Sequence, residues 1–176
     1  MLEKIILRLM LNLADCYKKA NIYKKFLGVN FGKNVRITGK IHFGSEPFLI
    51  SIGDHVTLAH NVTFHTHDGG VWLFRNEFPN INLYGPITIK DNVFIGSNVI
   101  ILPNVTVGEN VIVGAGSIVT KSLPPNGVYA GNPARFIKTI ADYREKTLQN
   151  AIHVDTSDMK IASKYIRNKI KQNLIQ

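Results

Sequence analysis

A solenoid of short parallel strands wound into a triangular coil is the fold this sequence predicts, and three observations predict it. An aliphatic residue returns every six positions, from Ile89 through Ile95, Ile101, Val107 and Val113 to Val119. A second small or aliphatic series runs in step with it, at Val93, Val99, Val105, Val111, Ser117 and Leu123. The same step occurs earlier, in Phe31, Ile37 and Phe43 and again in Ile52, Leu58 and Phe64. A period of six fits neither the 3.6-residue turn of a helix nor a plain alternating strand, and sustained repeats of this kind mark stacked solenoids. Each repeat supplies one flat side and a corner, three sides close the coil, and the recurrent aliphatic points inward. Glycine follows the first series at Gly53, Gly96, Gly108 and Gly114. That places a corner there, where glycine tolerates unusual backbone angles.

The chain has 176 residues, 45% hydrophobic and 19% charged, which suits one folded domain rather than a disordered or fibrous chain. Its single cysteine, Cys16, cannot form an internal disulfide, which fits a reducing, cytoplasmic setting. Residues 1–27 read as an amphipathic helix, because Ile5, Ile6, Leu9, Met10 and Leu13 fall on one face. Glu3, Lys4 and Arg8 interrupt the apolar run and no small-residue cleavage site follows, so a signal peptide is not predicted. The segment is also too short and too charged to span a bilayer. It docks on the protein or on a partner subunit, or it lies peripherally on a membrane surface.

The net charge of +9 resides at the two ends: residues 1–40 carry nine Lys/Arg against two acids, residues 131–176 carry nine against four, and the middle carries three against six. No basic stripe with stacking aromatics and no nucleic-acid-binding motif is present, so nucleic acid is not an expected partner.

The solenoid is expected over residues 28–130, with residues 66–86 leaving it as a loop, since a prism side has no room for them. Loops on a rigid scaffold are where binding and catalytic groups concentrate. The stretch TFHTHDGGVWLFRNEF, residues 63–78, holds two histidines, an aspartate and four large aromatics. Phe64 is an inward position, so His65 beside it points outward, whereas His67 lies past the break, followed by Asp68, Gly69 and Gly70. Trp72, Phe74 and Phe78 are too many large apolar groups to leave in water: they stack on a flat ligand or pack on another protein surface, with Trp72 the binding candidate. Arg75 pairs with an anionic ligand or with Glu77. Glu46 sits in the stretch SEPF, where the period also slips, and by the same logic is a candidate for contacting a substrate. Residues 131–176, with Tyr143, Leu148, Ile161, Tyr165, Ile166 and Ile170 among many Lys and Gln, read as a helical tail.

The stretch IGSNVIILPNVTVGENVIVGAGSIVTKSLPPNGVYAGNPARFIK, residues 95–138, is similar throughout to the acetyl-CoA-binding half of the hexapeptide-repeat galactoside, maltose and xenobiotic acetyltransferases. SEPFLISIGDHV (45–56) and THDGGVWLFR (66–75) most resemble the branch of bacterial capsule and surface-polysaccharide O-acetyltransferases. The resemblance covers residues 28–140. It implies a left-handed parallel β-helix, an exception to the usual right-handed crossover. It also implies a homotrimer with the active site between two prisms, acetyl-CoA as acyl donor without a metal, and a small-molecule or glycan acceptor. The family's catalytic histidine aligns with His67. Its coenzyme groove aligns with Ser97, Ala115, Thr120, Lys121, Arg135 and Lys138. Ser97 and Ala115 lie one full turn of the triangle apart, stacked to follow an extended arm, and the three cations suit the phosphates. Phe94 stands where many members have tryptophan.

An acyl transfer to a hydroxyl needs a base near neutrality, and histidine is the natural choice. His67 takes the acceptor proton as its oxygen attacks the thioester, with backbone N–H groups stabilising the oxyanion. No Ser-His-Asp arrangement is legible and the one cysteine lies in the N-terminal helix, so direct transfer in a ternary complex is expected. Asp68 orients His67, binds an acceptor hydroxyl, or is a turn residue. Three other readings compete. His60 and His65, with His42 one coil before, have the spacing of a gamma-class carbonic anhydrase; the acceptor is an antibiotic; or the prism is a scaffold without catalysis.

Overall fold

The computed structural model describes residues 2–173. The chain divides into two compact units between Ile140 and Ala141. In the first unit, short strands stack into three sheets, all pairings parallel except the last. One sheet stacks Asn30–Phe31, Ile50–Ile52, Ile87–Ile89 and Thr106–Val107. A second stacks Arg36–Ile37, Thr57–Leu58, Phe94–Ile95, Ile112–Val113 and Gly127–Ala130, and a third Ile41–His42, Val62–Phe64, Ile100–Ile101 and Ile118–Val119. This is the triangular coil that the period predicts. Both periodic series point into it: Ile95, Ile101, Val107, Val113 and Val119 are buried, and so are Val93, Val99, Val105 and Val111. Ser117, the polar member, is buried too, donating to the Gly114 carbonyl at 2.6 Å and accepting from the Gly131 N–H at 3.1 Å.

The register shows where chain leaves the wall. Ile89 lies beside Val107, the plain 18-residue coil, but Phe31 lies beside Ile52 and Ile52 beside Ile89. The two longer steps absorb the insertions at SEPF and at residues 66–86.

The corner chemistry differs from the expectation for glycine. Gly53, Gly96, Gly108 and Gly114 are not in left-handed conformations. Their smallness serves close approach instead: a Cβ at Gly96 would lie 2.6 Å from the Ala115 nitrogen on the next coil. Among the left-handed corner residues are Asn92, Asn98, Asn104 and Asn110, with φ between 55° and 63°, and Gly116 at 72°, each just before a member of the second buried series. Asparagine tolerates this region better than other side chains. Their amides also join adjacent coils: His55 Nδ1 lies 2.9 Å from Asn92 Oδ1, and Asn92 donates to Asn110, which donates to Asn126, at 2.7 and 2.9 Å.

The N-terminal segment is two helices rather than one, α1 (Leu2–Leu13) and α2 (Lys18–Leu27). Asp15 makes the break, its Oδ1 accepting from the Tyr17 and Lys18 N–H groups. Gly28, at φ 75°, ends α2. Helix α2 buries Ala20 and Tyr23, and the Tyr23 ring meets Phe43 edge-on at 4.9 Å. The face of α1 formed by Ile5, Leu9 and Leu13 is exposed on this chain. No described helix is long and apolar enough to cross a membrane.

The expected helical tail from residue 131 begins instead as a strand, Arg135–Thr139, antiparallel to Gly127–Ala130. Helices α3 (Ile140–Asn150) and α4 (Met159–Asn173) follow.

Candidate active site

The loop leaves and rejoins the prism through a short antiparallel clasp. Gly85 N–H donates to the Thr66 carbonyl and Asp68 N–H to the Leu83 carbonyl, both at 2.9 Å, which pairs His67 with Tyr84. A 3-10 helix, Gly69–Phe74, forms the far part, with the Asp68 carboxylate capping it by accepting from the Gly70 N–H at 2.8 Å. Asp68 thus fills the turn role that was one of its expected alternatives. Between clasp and 3-10 helix lies a cleft of about 280 Å³, lined by Glu46, His67, Asp68, Trp72, Arg75 and Tyr84 among others.

The two histidines separate as their positions imply. His65 is exposed on the prism wall, whereas His67 reaches the cleft. His67 is not alone there. Its Nδ1 lies 3.0 Å from Glu46 Oε2 and 3.3 Å from Ser45 Oγ, and its ring stands edge-on to Tyr84. The fully buried Thr66 donates its hydroxyl to the same Glu46 oxygen at 2.6 Å. Glu46, expected to face the acceptor directly, is therefore bonded to the histidine. With Nδ1–H donated to that carboxylate, the lone pair resides on Nε2, the tautomer a base at Nε2 requires.

The Thr66 hydroxyl holds the Glu46 carboxyl below the usual carboxylate range, with His67 and Ser45 adding to it and burial opposing. A carboxyl lowered in the folded state stabilises the fold above its unfolded value of about 4.3, and that contribution disappears as pH falls through the folded value. Glu46→Gln is expected to lower the melting temperature at pH 7, and the gap from the parent protein should close below about pH 4. Thermal melts across pH check this; a gap independent of pH contradicts it.

Trp72 is 71% exposed, and Arg75 lies over its ring with the guanidinium carbon 5.8 Å from the centroid. Arg75 Nη2 donates to Asn82 Oδ1 at 3.2 Å rather than pairing with Glu77. Ser45, Thr66, Asn82 and Tyr84 also belong to the site and were not singled out in the sequence. The structure explains the placement of Thr66 and Ser45: Phe43 stacks on Phe64, so the same 21-residue step sets Ser45 and Glu46 over Thr66 and His67.

The expected coenzyme residues lie along the C-terminal coils. Gly116 N–H donates to the Ser97 carbonyl at 2.8 Å, which stacks the Ala115 corner over Ser97. Thr120 and Lys121 are exposed past Ile118–Val119. Ile118 N–H donates to the Gly131 carbonyl and Ala134 N–H to the Ile118 carbonyl, so the turn before Arg135 is fastened to that same strand. Arg135 is exposed and Lys138 half-buried on the final strand. Among the described residues of the single chain, no group of three His, Cys, Asp or Glu is placed to hold an ion.

Residues 86–121 match the bacterial transferase hexapeptide (six repeats) family. The chain is 45% identical over 149 residues to Protein CapG of Staphylococcus aureus, covering 84% of this chain and 87% of that protein. It is 41% identical over 117 residues to the galactoside O-acetyltransferase of Escherichia coli (strain K12), covering 66% of this chain and 54% of the relative. Among solved structures it resembles a galactoside acetyltransferase in complex with coenzyme A, with a TM-score of 0.61 and 32% identity over 82% of each chain.

Proposed function

The chain belongs to the hexapeptide-repeat acetyltransferase family, and on that footing we propose that it moves the acetyl group of acetyl-CoA onto a sugar hydroxyl, with His67 as general base. It is an acyltransferase with the left-handed β-helix of its relatives. The observation that carries the proposal is the His67–Glu46 pair at 3.0 Å in a cleft that also holds a tryptophan. A carboxylate on Nδ1 fixes ring and tautomer, leaving Nε2 to receive a proton. Trp72 offers a flat apolar face of the kind sugars stack on.

In the proposed step Nε2 takes the proton of the acceptor hydroxyl while its oxygen bonds to the thioester carbonyl carbon. The tetrahedral species collapses with breakage of the carbon–sulfur bond. The coenzyme leaves as thiolate and recovers the proton from the imidazolium. Glu46 stays ionised throughout and steadies the charged ring, acting as a positioning residue. The acceptor belongs to surface-polysaccharide synthesis in this reading, and the reaction takes place in the cytoplasm.

The working unit is a homotrimer. Trp72, Leu73, Phe74 and Phe78 are each more than half exposed on the single chain, a larger apolar surface than an isolated loop normally leaves in water, and a neighbouring prism would cover part of it. The coenzyme runs along Ser97 and Ala115, and its phosphates meet Thr120, Lys121, Arg135 and Lys138.

Lys121→Ala or Arg135→Ala should weaken acetyl-CoA binding. Loss of one charge-assisted hydrogen bond costs about 1.5–3 kcal/mol, so the dissociation constant is expected to rise roughly tenfold or more. Calorimetry on metal-free protein tests this, and unchanged affinity in both variants would place the phosphates elsewhere.

A further inference from the structure

We propose that the cleft beside His67 is built for an acceptor that carries a negative charge, and that Arg75 is the residue that recognises it. The inference rests on the acceptor site proposed above and names the class of sugar it takes: one bearing a carboxylate or a phosphate.

The charged groups of the cleft are Glu46, Asp68, Arg75 and, when protonated, His67. Both carboxylates have protein donors: Glu46 bonds Thr66 and His67, and Asp68 takes the Gly70 N–H. Arg75 has no acidic partner among the described residues. Its guanidinium is nonetheless held. Asn82 accepts from Nη2 at 3.2 Å, Asn82 is itself fixed by donating to the Asn80 carbonyl at 3.0 Å, and the Trp72 ring lies against the guanidinium.

A cation positioned by two neutral groups has no ion-pair partner and keeps most of its N–H donors unused. Planar guanidinium donors match the geometry of carboxylate and phosphate oxygens. Trp72 would meet the sugar ring while Arg75 meets its anionic substituent, leaving a hydroxyl for Nε2 of His67. A neutral sugar would satisfy the stacking face but leave the guanidinium to water.

The test uses the full chain without acetyl-CoA, so it does not depend on the catalytic reading. Trp72 is the single tryptophan, so its fluorescence reports this cleft directly. The probes are digalacturonate, its neutral counterpart with hydroxymethyl groups in place of carboxylates, and galactose 1-phosphate beside galactose. At low salt the charged member of at least one pair should bind on the order of tenfold tighter, the preference shrinking as salt is added. The pair with the larger preference identifies the anion. Arg75→Met should abolish the preference and Arg75→Lys should retain part of it. Lys90→Met, which removes one positive charge from the prism wall, should leave it intact. Equal affinity for charged and neutral probes in the parent protein overturns the proposal, as does a preference that survives in Arg75→Met. A preference lost equally in Lys90→Met would assign it to net charge and also overturn the role of Arg75. Failure of acetyl transfer in His67 variants has no bearing on these binding curves, so the two ideas fail separately.

Discussion

Replacing His67 with alanine is expected to lower the acetyl-transfer rate by roughly 10²–10⁴-fold, the range general-base catalysis typically supplies. The variant should keep the parent protein's sedimentation and its affinity for acetyl-CoA, because the exposed imidazole supports neither the core nor the proposed coenzyme groove. His65→Ala should be far milder, since His65 stands on the outer wall with no bond to Glu46. Steady-state rates with a hydroxyl acceptor check both. A His67→Ala enzyme as active as the parent would remove the proposed base, and equal losses at both histidines would point to a shared structural cause.

The largest expected effect on stability is at Phe64. Its side chain is fully buried and stacks on Phe43, with ring centroids 5.5 Å apart and planes within 7°. Phe43 in turn meets Phe31 and Tyr23 edge-on, so this aromatic column ties α2 to the first two coils. Phe64→Ala should cost about 3–5 kcal/mol, as buried phenylalanine truncations do. For a chain of this size that corresponds to a fall of roughly 6–20 °C in melting temperature. Phe74→Ala, on the exposed loop, should leave the stability of the isolated fold within about 0.5 kcal/mol. Calorimetric melts compare them, and near-equal effects would mean the six-residue series does not line the core.

Much of this architecture is legible in the amino-acid sequence. Inward residues of the coil repeat at a fixed step because every coil must fill the same narrow triangular interior, so the two series named the core almost residue by residue. The loop announced itself by the same rule, since residues 66–86 could not be placed on a wall. The glycines misled, because small size serves two needs that a sequence does not separate: left-handed backbone and close approach. At Gly96 the second applies, and asparagine supplies the first. The division between α1 and α2 was marked by Asp15, a turn-forming side chain inside an otherwise continuous amphipathic pattern. The Glu46–His67 bond was the least visible feature, because it joins two irregular segments. Only the stacking of Phe43 on Phe64 reveals that both segments sit one coil apart. The guanidinium of Arg75 had no sequence signal for its partner at all: Asn82 approaches it through the loop's own folding.

Direct transfer from acetyl-CoA to a hydroxyl is tested most directly by incubating the purified protein with acetyl-CoA, with and without a sugar acceptor, and following free thiol release together with the masses of acceptor and protein. Direct transfer should give thiol release that depends on the acceptor, an acetyl ester on the sugar, and a protein of unchanged mass. Thiol release without acceptor, accompanied by an acetyl group retained covalently on the protein, would contradict it.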